Sequence, residues 1–205
     1  MTPFTEVTGV AIPLPADDVN TDQIIPSKYL KDLHADLSEA FLAFQRRRSD
    51  GSVIADCVLE RPAFRGAPIL VVGANFGCGS SREHAVWAMQ AYGIRCVIGH
   101  RLAEFFIDNC FKNGVLPIEL SADVHARFMH SVVQADGQHV VSVDLRACEI
   151  RGPGELRTAF QIDPQARRML LEGLDDIGMT LQHLPEIERW ERHAAAAAGR
   201  GDQSI

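Results

Sequence analysis

Four consecutive apolar residues, 69–72, interrupt the mixed pattern of this chain just ahead of a glycine-rich segment. The run is too short for a buried helix and rich in β-branched side chains. It also lacks polar alternation, so it predicts a strand covered on both faces, as in a parallel sheet. Ala85, Val86, Met89 and Tyr92 then line one helical stripe that Gly93 can end in a left-handed cap. Residues 96–99 predict a second buried strand. Leu102, Phe105, Phe106, Cys110 and Phe111 predict an amphipathic helix ending at Gly114, and residues 115–118 a third strand. Strand–helix–strand–helix–strand with short connections predicts an α/β fold around a right-handed parallel βαβαβ core. Ligands in such sheets sit beyond the carboxyl ends of the strands, where residues 77–82 fall.

The flanks are less regular. Val7, Val10, Ile12 and Leu14 alternate in part, predicting a strand over residues 5–15 interrupted by prolines. Leu37, Phe41 and Phe44 stand at helical spacing within residues 36–48, with Asp36 or Ser38 as cap. Residues 53–59 and 140–145 predict short strands. Asp163-Pro164 starts a helix that stops at Gly173, residues 173–179 predict a turn capped by Asp175 and Asp176, and Pro185 starts a last helix to about His193. Residues 1–193 are expected to form one domain, and the alanine- and glycine-rich residues 194–205 a disordered tail.

Within the central segment, glycines at 73, 77 and 79 let the backbone turn sharply and approach a ligand without Cβ clashes. Ser80-Ser81-Arg82-Glu83 reads as a capping box, Ser80 capping the helix and Glu83 returning to the Ser80 amide. A strand, a glycine turn and a capped helix start make an anion site with two hydroxyls and a guanidinium in it. The plainer alternative is a tight βα turn with ordinary capping. A dinucleotide fingerprint fails because Arg82 stands where the third glycine belongs, and a P-loop fails for want of lysine. A nucleophile elbow fails at the same arginine. Upstream, Asp18, Asn20 and Asp22 imitate the start of a calcium loop, but Gln23 and Tyr29 replace the required glycine and glutamate.

Composition narrows the function classes. The chain has 205 residues and a formal charge of −7, with cations scattered apart from Arg46-Arg47-Arg48, so nucleic acid is not an expected partner. That triplet reads as a solvated helix end or as a docking point for an acidic partner. No apolar run approaches membrane-spanning length and the amino terminus lacks a signal pattern, so no membrane association is expected, and a cytoplasmic location is. The five cysteines, 57, 78, 96, 110 and 148, are odd in number and fit neither a zinc site nor a cluster-ligand run. Reduced thiols and no metal are expected, with Cys78 either reactive or merely small enough for its loop.

Residues 77–85, Gly-Cys-Gly-Ser-Ser-Arg-Glu-His-Ala, resemble the signature of the aconitase superfamily's swivelling domain. Residues 18–26, Asp-Val-Asn-Thr-Asp-Gln-Ile-Ile-Pro, resemble its second signature, and residues 173–183 its third. Within the superfamily the chain most resembles the separate small subunits of 3-isopropylmalate dehydratase, hydro-lyases of leucine biosynthesis. The resemblance implies a swivelling β/β/α-type domain that works with a large subunit, as a heterodimer or heterotetramer. It also implies a [4Fe-4S] cluster on that large subunit, since this chain lacks cluster ligands. The implied reaction moves a hydroxyl between adjacent carbons of a 2-hydroxy dicarboxylate by dehydration and rehydration, with iron as Lewis acid. By resemblance, Ser80 is the alkoxide base, Ser81 and Arg82 bind a substrate carboxylate, and Asp22 assists. Lys28 falls in the stretch where relatives supply a further cation to the substrate. The chain lacks the Asp-Trp-Arg element typical of these subunits and carries Arg101-Leu102-Ala103 where relatives have Ser-Phe-Ala. The alternatives are a sister hydratase of methyl- or dimethyl-substituted malate or maleate, and, in another class, a stand-alone dicarboxylate-binding module or a purely structural companion subunit.

Overall fold

The computed structural model describes residues 1–31 and 34–198. β1 (Glu6–Leu14) leads into three single-turn helices, α1 (Thr21–Ile24), α2 (Leu37–Ala40) and α3 (Ala43–Arg46). The central unit follows: β2 (Ile69–Ala74), α4 (His84–Tyr92), β3 (Cys96–His100), α5 (Glu104–Lys112) and β4 (Leu116–Glu119). After α6 (Ala122–Ala135) come β5 (Val140–Asp144), β6 (Glu149–Arg151) and β7 (Arg157–Ala159). The chain closes with α7 (Pro164–Glu172), α8 (Asp176–Leu181) and α9 (Leu184–Ala198).

The strands form one sheet in the order β4-β3-β2-β1-β5-β6-β7. Its first four members are parallel, with Ile12 beside Leu70, Leu70 beside Val97 and Val97 beside Pro117. β5, β6 and β7 continue it in antiparallel fashion from the other edge of β1. The apolar run of β2 is buried on both faces. Leu70 and Val72 join Phe41, Phe76, Val86, Met89 and Phe106 on one side. Ile69 and Val71 join Phe128, Met129, Val132 and Leu170 on the other. Full burial of each such side chain contributes about 1.5–3 kcal/mol, which explains why a run without polar alternation belongs at the centre of the sheet. β5 is half-covered, burying only Val141 and Val143, and so alternates.

The expected βαβαβ core is present, with Gly93 in the left-handed conformation after α4 and Phe106 and Cys110 as buried positions of α5. Phe105 is exposed and lies off that stripe. The helix expected over residues 36–48 is divided. Leu42 adopts the left-handed conformation between α2 and α3. Its amide donates to the Ile24 carbonyl at 2.8 Å, away from the Ser38 carbonyl that a continuous helix would offer it. Arg46 takes that carbonyl instead, donating to Ser38 O at 2.7 Å and Phe41 O at 3.2 Å, and its Nε lies 2.6 Å from Glu60. The arginine triplet is therefore no solvated helix end at its first residue: Arg46 is buried and ties the segment together.

Residues 53–59 form no strand. A single bridge joins Val53 to Arg47, and the chain then enters a 3₁₀ turn at Val58–Glu60 that seats Leu59 in the core. Residues 173–183 hold the short helix α8, which Asp175 caps by accepting from the Gly178 amide at 2.7 Å. α9 runs past residue 193 to Ala198, into the expected tail, and residues 199–205 lie outside the described residues. α6, β6 and β7 were not marked by the patterns above. Among the described residues no helix is long and apolar enough to cross a membrane.

Candidate active site

The chain leaves the carboxyl end of β2 through Asn75, Phe76 and Gly77. Phe76 is buried and meets the Phe106 ring edge-on, with centroids 5.3 Å apart. Gly77 has φ +81° and lies so close to Phe106 that an added Cβ would stand 2.3 Å from its Cγ, so only glycine fits here. Its amide donates to the Val19 carbonyl at 2.8 Å, and the Thr21 amide donates back to the Cys78 carbonyl at 2.9 Å. These bonds lay the start of α1 directly against the glycine loop. The first two signature segments, far apart in sequence, thereby share one site.

The capping box expected at residues 80–83 does not form. α4 begins at His84, and Glu83 at its N-cap makes no side-chain cap bond. The Glu83 carboxylate instead accepts from Asn113 Nδ2 at 2.7 Å, while Asn109 Nδ2 donates to the Ser81 carbonyl at 3.1 Å. Asn113 thus takes the carboxylate away from the local pairing, and Asn109 holds the loop from behind. The amides of residues 79–84 donate to no other described residue. That leaves a run of donors for an anion. A true capping box exists nearby at α1, where Asn20 accepts from the Gln23 amide and Gln23 returns to the Asn20 amide at 2.8 Å.

The Ser80 hydroxyl shares a hydrogen bond with the Thr21 hydroxyl at 2.7 Å. Arg82 reaches across to α1, where Nη1 donates to Asp22 Oδ1 at 2.6 Å and to the Ile25 carbonyl at 3.2 Å. The Arg82 side chain is 21% exposed and that of Asp22 66%, so the pair sits at the mouth of the site with its carboxylate open to solvent. The structure therefore brings Ser80, Ser81, Arg82 and Asp22 together.

The Lys28 side chain is engaged with other residues. Its ammonium stacks on the rings of Tyr29 and Phe44, at 4.8 and 5.1 Å from their centroids. It lines a cavity of about 720 Å³ with Arg47 and Arg48. Arg101 is exposed and adopts φ 52°, sharing a cavity with Asp17, Asp18 and Glu104, which makes it a surface charge among carboxylates. His84 packs its ring on Trp87, with centroids 4.4 Å apart. Thr21, Asn109 and Asn113 were not among the expected site residues. Thr21 stood inside the second signature segment, and a small hydroxyl beside Asp22 was the available signal.

The chain's cysteines do not suit an iron–sulfur cluster. Among the described residues no group of three or more His, Cys, Asp or Glu side chains could hold a metal ion. Cys96 and Cys110 are buried on opposite faces of the sheet, and burial pushes both thiols well up, away from the thiolate form that ligates iron.

Residues 1–123 match the family described as the aconitase C-terminal domain, the class that this sheet and its glycine loop define. A 3-isopropylmalate dehydratase small subunit of Rhodopseudomonas palustris is 48% identical over 193 residues, covering 93% of this chain and 95% of the relative. One from Agrobacterium fabrum is 45% identical over 197 residues, covering 96% and 98%. The crystal structure of a 3-isopropylmalate dehydratase from Methanocaldococcus jannaschii superposes with a TM-score of 0.62 at 25% identity, covering 90% of this chain and 99% of that one. The chain belongs to the family of 3-isopropylmalate dehydratase small subunits.

Proposed function

We propose that this chain supplies the base and the carboxylate-binding arginine of a 3-isopropylmalate dehydratase and turns over only when joined to its large subunit. The reaction removes a weakly acidic proton from the carbon beside a carboxylate and expels hydroxide from the next carbon, then readds water with the positions exchanged. Ser80 Oγ takes that proton. An alkoxide must be held by donors aimed at it. The amides of residues 79–84 and the guanidinium of Arg82 are such donors, gathered where the sheet ends. Arg82 and the Ser81 hydroxyl receive the substrate carboxylate, and Asp22 keeps the guanidinium turned toward the site. Asparagines 109 and 113 keep the loop in place.

The large subunit's [4Fe-4S] cluster supplies the Lewis acid for the departing hydroxide. Residues 1–193 act as the swivelling unit, in a heterodimer or heterotetramer. A reduced, cytoplasmic setting suits the five unpaired thiols. The observation that carries this reading is the convergence of Ser80, Arg82 and Asp22 from two segments about sixty residues apart. Anaerobic co-expression with the large subunit tests it, following turnover of 3-isopropylmalate by absorbance of the alkene. The reading expects activity from the two chains together and none from either alone. A complex active on methyl-substituted malates but not on 3-isopropylmalate would move the substrate, and activity of one chain alone would overturn the division of labour.

A further inference from the structure

A buried hydroxyl needs a reason. Thr21 is 2% exposed at the first position of α1, where valine would fill the same volume with no polar group to desolvate. Burying a hydroxyl without a partner is costly, so the partner it finds indicates its purpose. Among the described residues the Thr21 side chain has one hydrogen-bond partner, the Ser80 hydroxyl at 2.7 Å. No backbone carbonyl of its own helix competes for its proton. We propose that Thr21 is a positioning residue for the base. It donates its hydroxyl proton to Ser80 Oγ, fixes the rotamer of that side chain and favours its deprotonated form. This rests on the proposal that Ser80 is the base.

Three further contacts show that the placement is built. The Thr21 amide is tied to the Cys78 carbonyl at 2.9 Å, so its backbone cannot drift from the loop that carries Ser80. The Asn20–Gln23 capping box fixes the turn on which Thr21 sits. On the facing side Gly79 has φ +99°, and a Cβ there would stand 3.3 Å from Asn20 Cβ and 3.8 Å from Thr21 Oγ1. The positive φ calls for glycine there, and the loop closes on Asn20, the residue before Thr21.

The chemistry follows from the two protonation states. A hydroxyl has one proton to give and can accept two. When Ser80 is a hydroxyl, either oxygen can donate across this contact. When Ser80 is an alkoxide it has no proton, and the bond survives only with Thr21 as donor. A hydrogen bond to an ionised oxygen is roughly twice as strong as a neutral one. The contact therefore strengthens as Ser80 loses its proton and lowers the cost of the reactive form. After Ser80 takes the substrate proton, Thr21 still holds its own, so no net transfer is asked of it.

The test is the assembled two-subunit enzyme carrying Thr21→Val, Thr21→Ser and Thr21→Ala, with Ser80→Ala alongside. Thr21→Val should lower kcat by roughly 10²-fold, the scale of losing one donor to an oxyanion, and leave KM within about threefold. The rising limb of its kcat–pH profile should move to higher pH. Thr21→Ser restores the donor and should return both kcat and the pH profile to near wild type. If Thr21→Val does not assemble with the large subunit, Thr21→Ala, which is smaller, reads the same loss. Wild-type kcat with an unmoved pH profile in Thr21→Val or Thr21→Ala would overturn the proposal, even if thermal stability fell. An active Ser80→Ala enzyme would overturn the base assignment itself, which is a separate result.

Discussion

Arg82 Nη1 lies 2.6 Å from Asp22 Oδ1, and the same nitrogen donates to the Ile25 carbonyl at 3.2 Å. One nitrogen of the fork thus fastens the arginine to α1, and under the proposed function the other donors of the guanidinium receive the substrate carboxylate. Its planar geometry suits a bidentate anion, whereas a lysine ammonium offers a point charge on a flexible stem. Arg82→Lys should therefore weaken kcat/KM by about 10- to 150-fold, equivalent to about 1.5–3 kcal/mol for a hydrogen bond to a charged group. Asp22→Asn should act in the same direction by loosening the anchor. Steady-state kinetics on the assembled enzyme check both, and a normal kcat/KM for Arg82→Lys would remove the fork from the account.

The buried arginine gives a stability prediction away from the site. Arg46 is 5% exposed at its side chain and Glu60 17%, while its other carboxylate partner, Glu39, is 50% exposed. Removing the partner of a buried charge costs roughly 3 kcal/mol or more, and an exposed pair contributes under about 1 kcal/mol. Urea denaturation should therefore find Glu60→Ala strongly destabilised and Glu39→Ala close to wild type. Burial opposes ionisation of Glu60, but hydrogen bonds from Arg46 and Arg47 outweigh it and hold the carboxyl below its ordinary value of 4.5. A lowered acid contributes stability that is present above that ordinary value and lost as pH falls below it. Glu60→Ala should lack this part of the acid-induced loss.

His125 sets a second pH window. It is buried on α6 and its Nε2 donates to the Val72 carbonyl at 2.7 Å, which ties the helix to the end of β2. Burial lowers its pKa below 6.5; the Val72 hydrogen bond opposes that shift, nearby His100 adds to it, and Asp17 opposes it. The unfolded chain then binds a proton more readily than the folded one. Stability should be complete above about pH 6.5 and decline as pH falls below it toward the lowered value. His125→Gln keeps a donor and does not titrate, so its unfolding free energy should vary less between pH 7 and 5. An identical pH slope in wild type and variant would contradict this.

The sequence carried the parallel core because a run such as Ile69, Leu70, Val71 and Val72 has few other places to go. It carried the glycine loop because Gly77 sits where Phe106 leaves no room for a Cβ. The capping box at Ser80 and Glu83 failed for a different reason. Local spacing cannot anticipate competitors, and here Asn113 and Thr21 arrive from 30 and 59 residues away. The same holds for the divided helix, where Leu42 prefers the Ile24 carbonyl and Arg46 fills the vacated one. α6 was legible and was missed. Its buried positions, His125, Phe128, Met129 and Val132, have ideal helical spacing, but the stripe begins on a histidine. Of the candidate site, Ser80, Arg82 and Asp22 were singled out by motif resemblance, and their meeting required the fold.

The central claim is that Ser80 is the proton-abstracting base, and one substitution tests it most directly. Ser80→Ala, co-expressed anaerobically with the large subunit, should assemble as wild type does and lose turnover of 3-isopropylmalate by about 10²–10⁴-fold, the range supplied by a positioned base. Turnover close to wild type in an intact complex would contradict the claim and require another group to remove the proton.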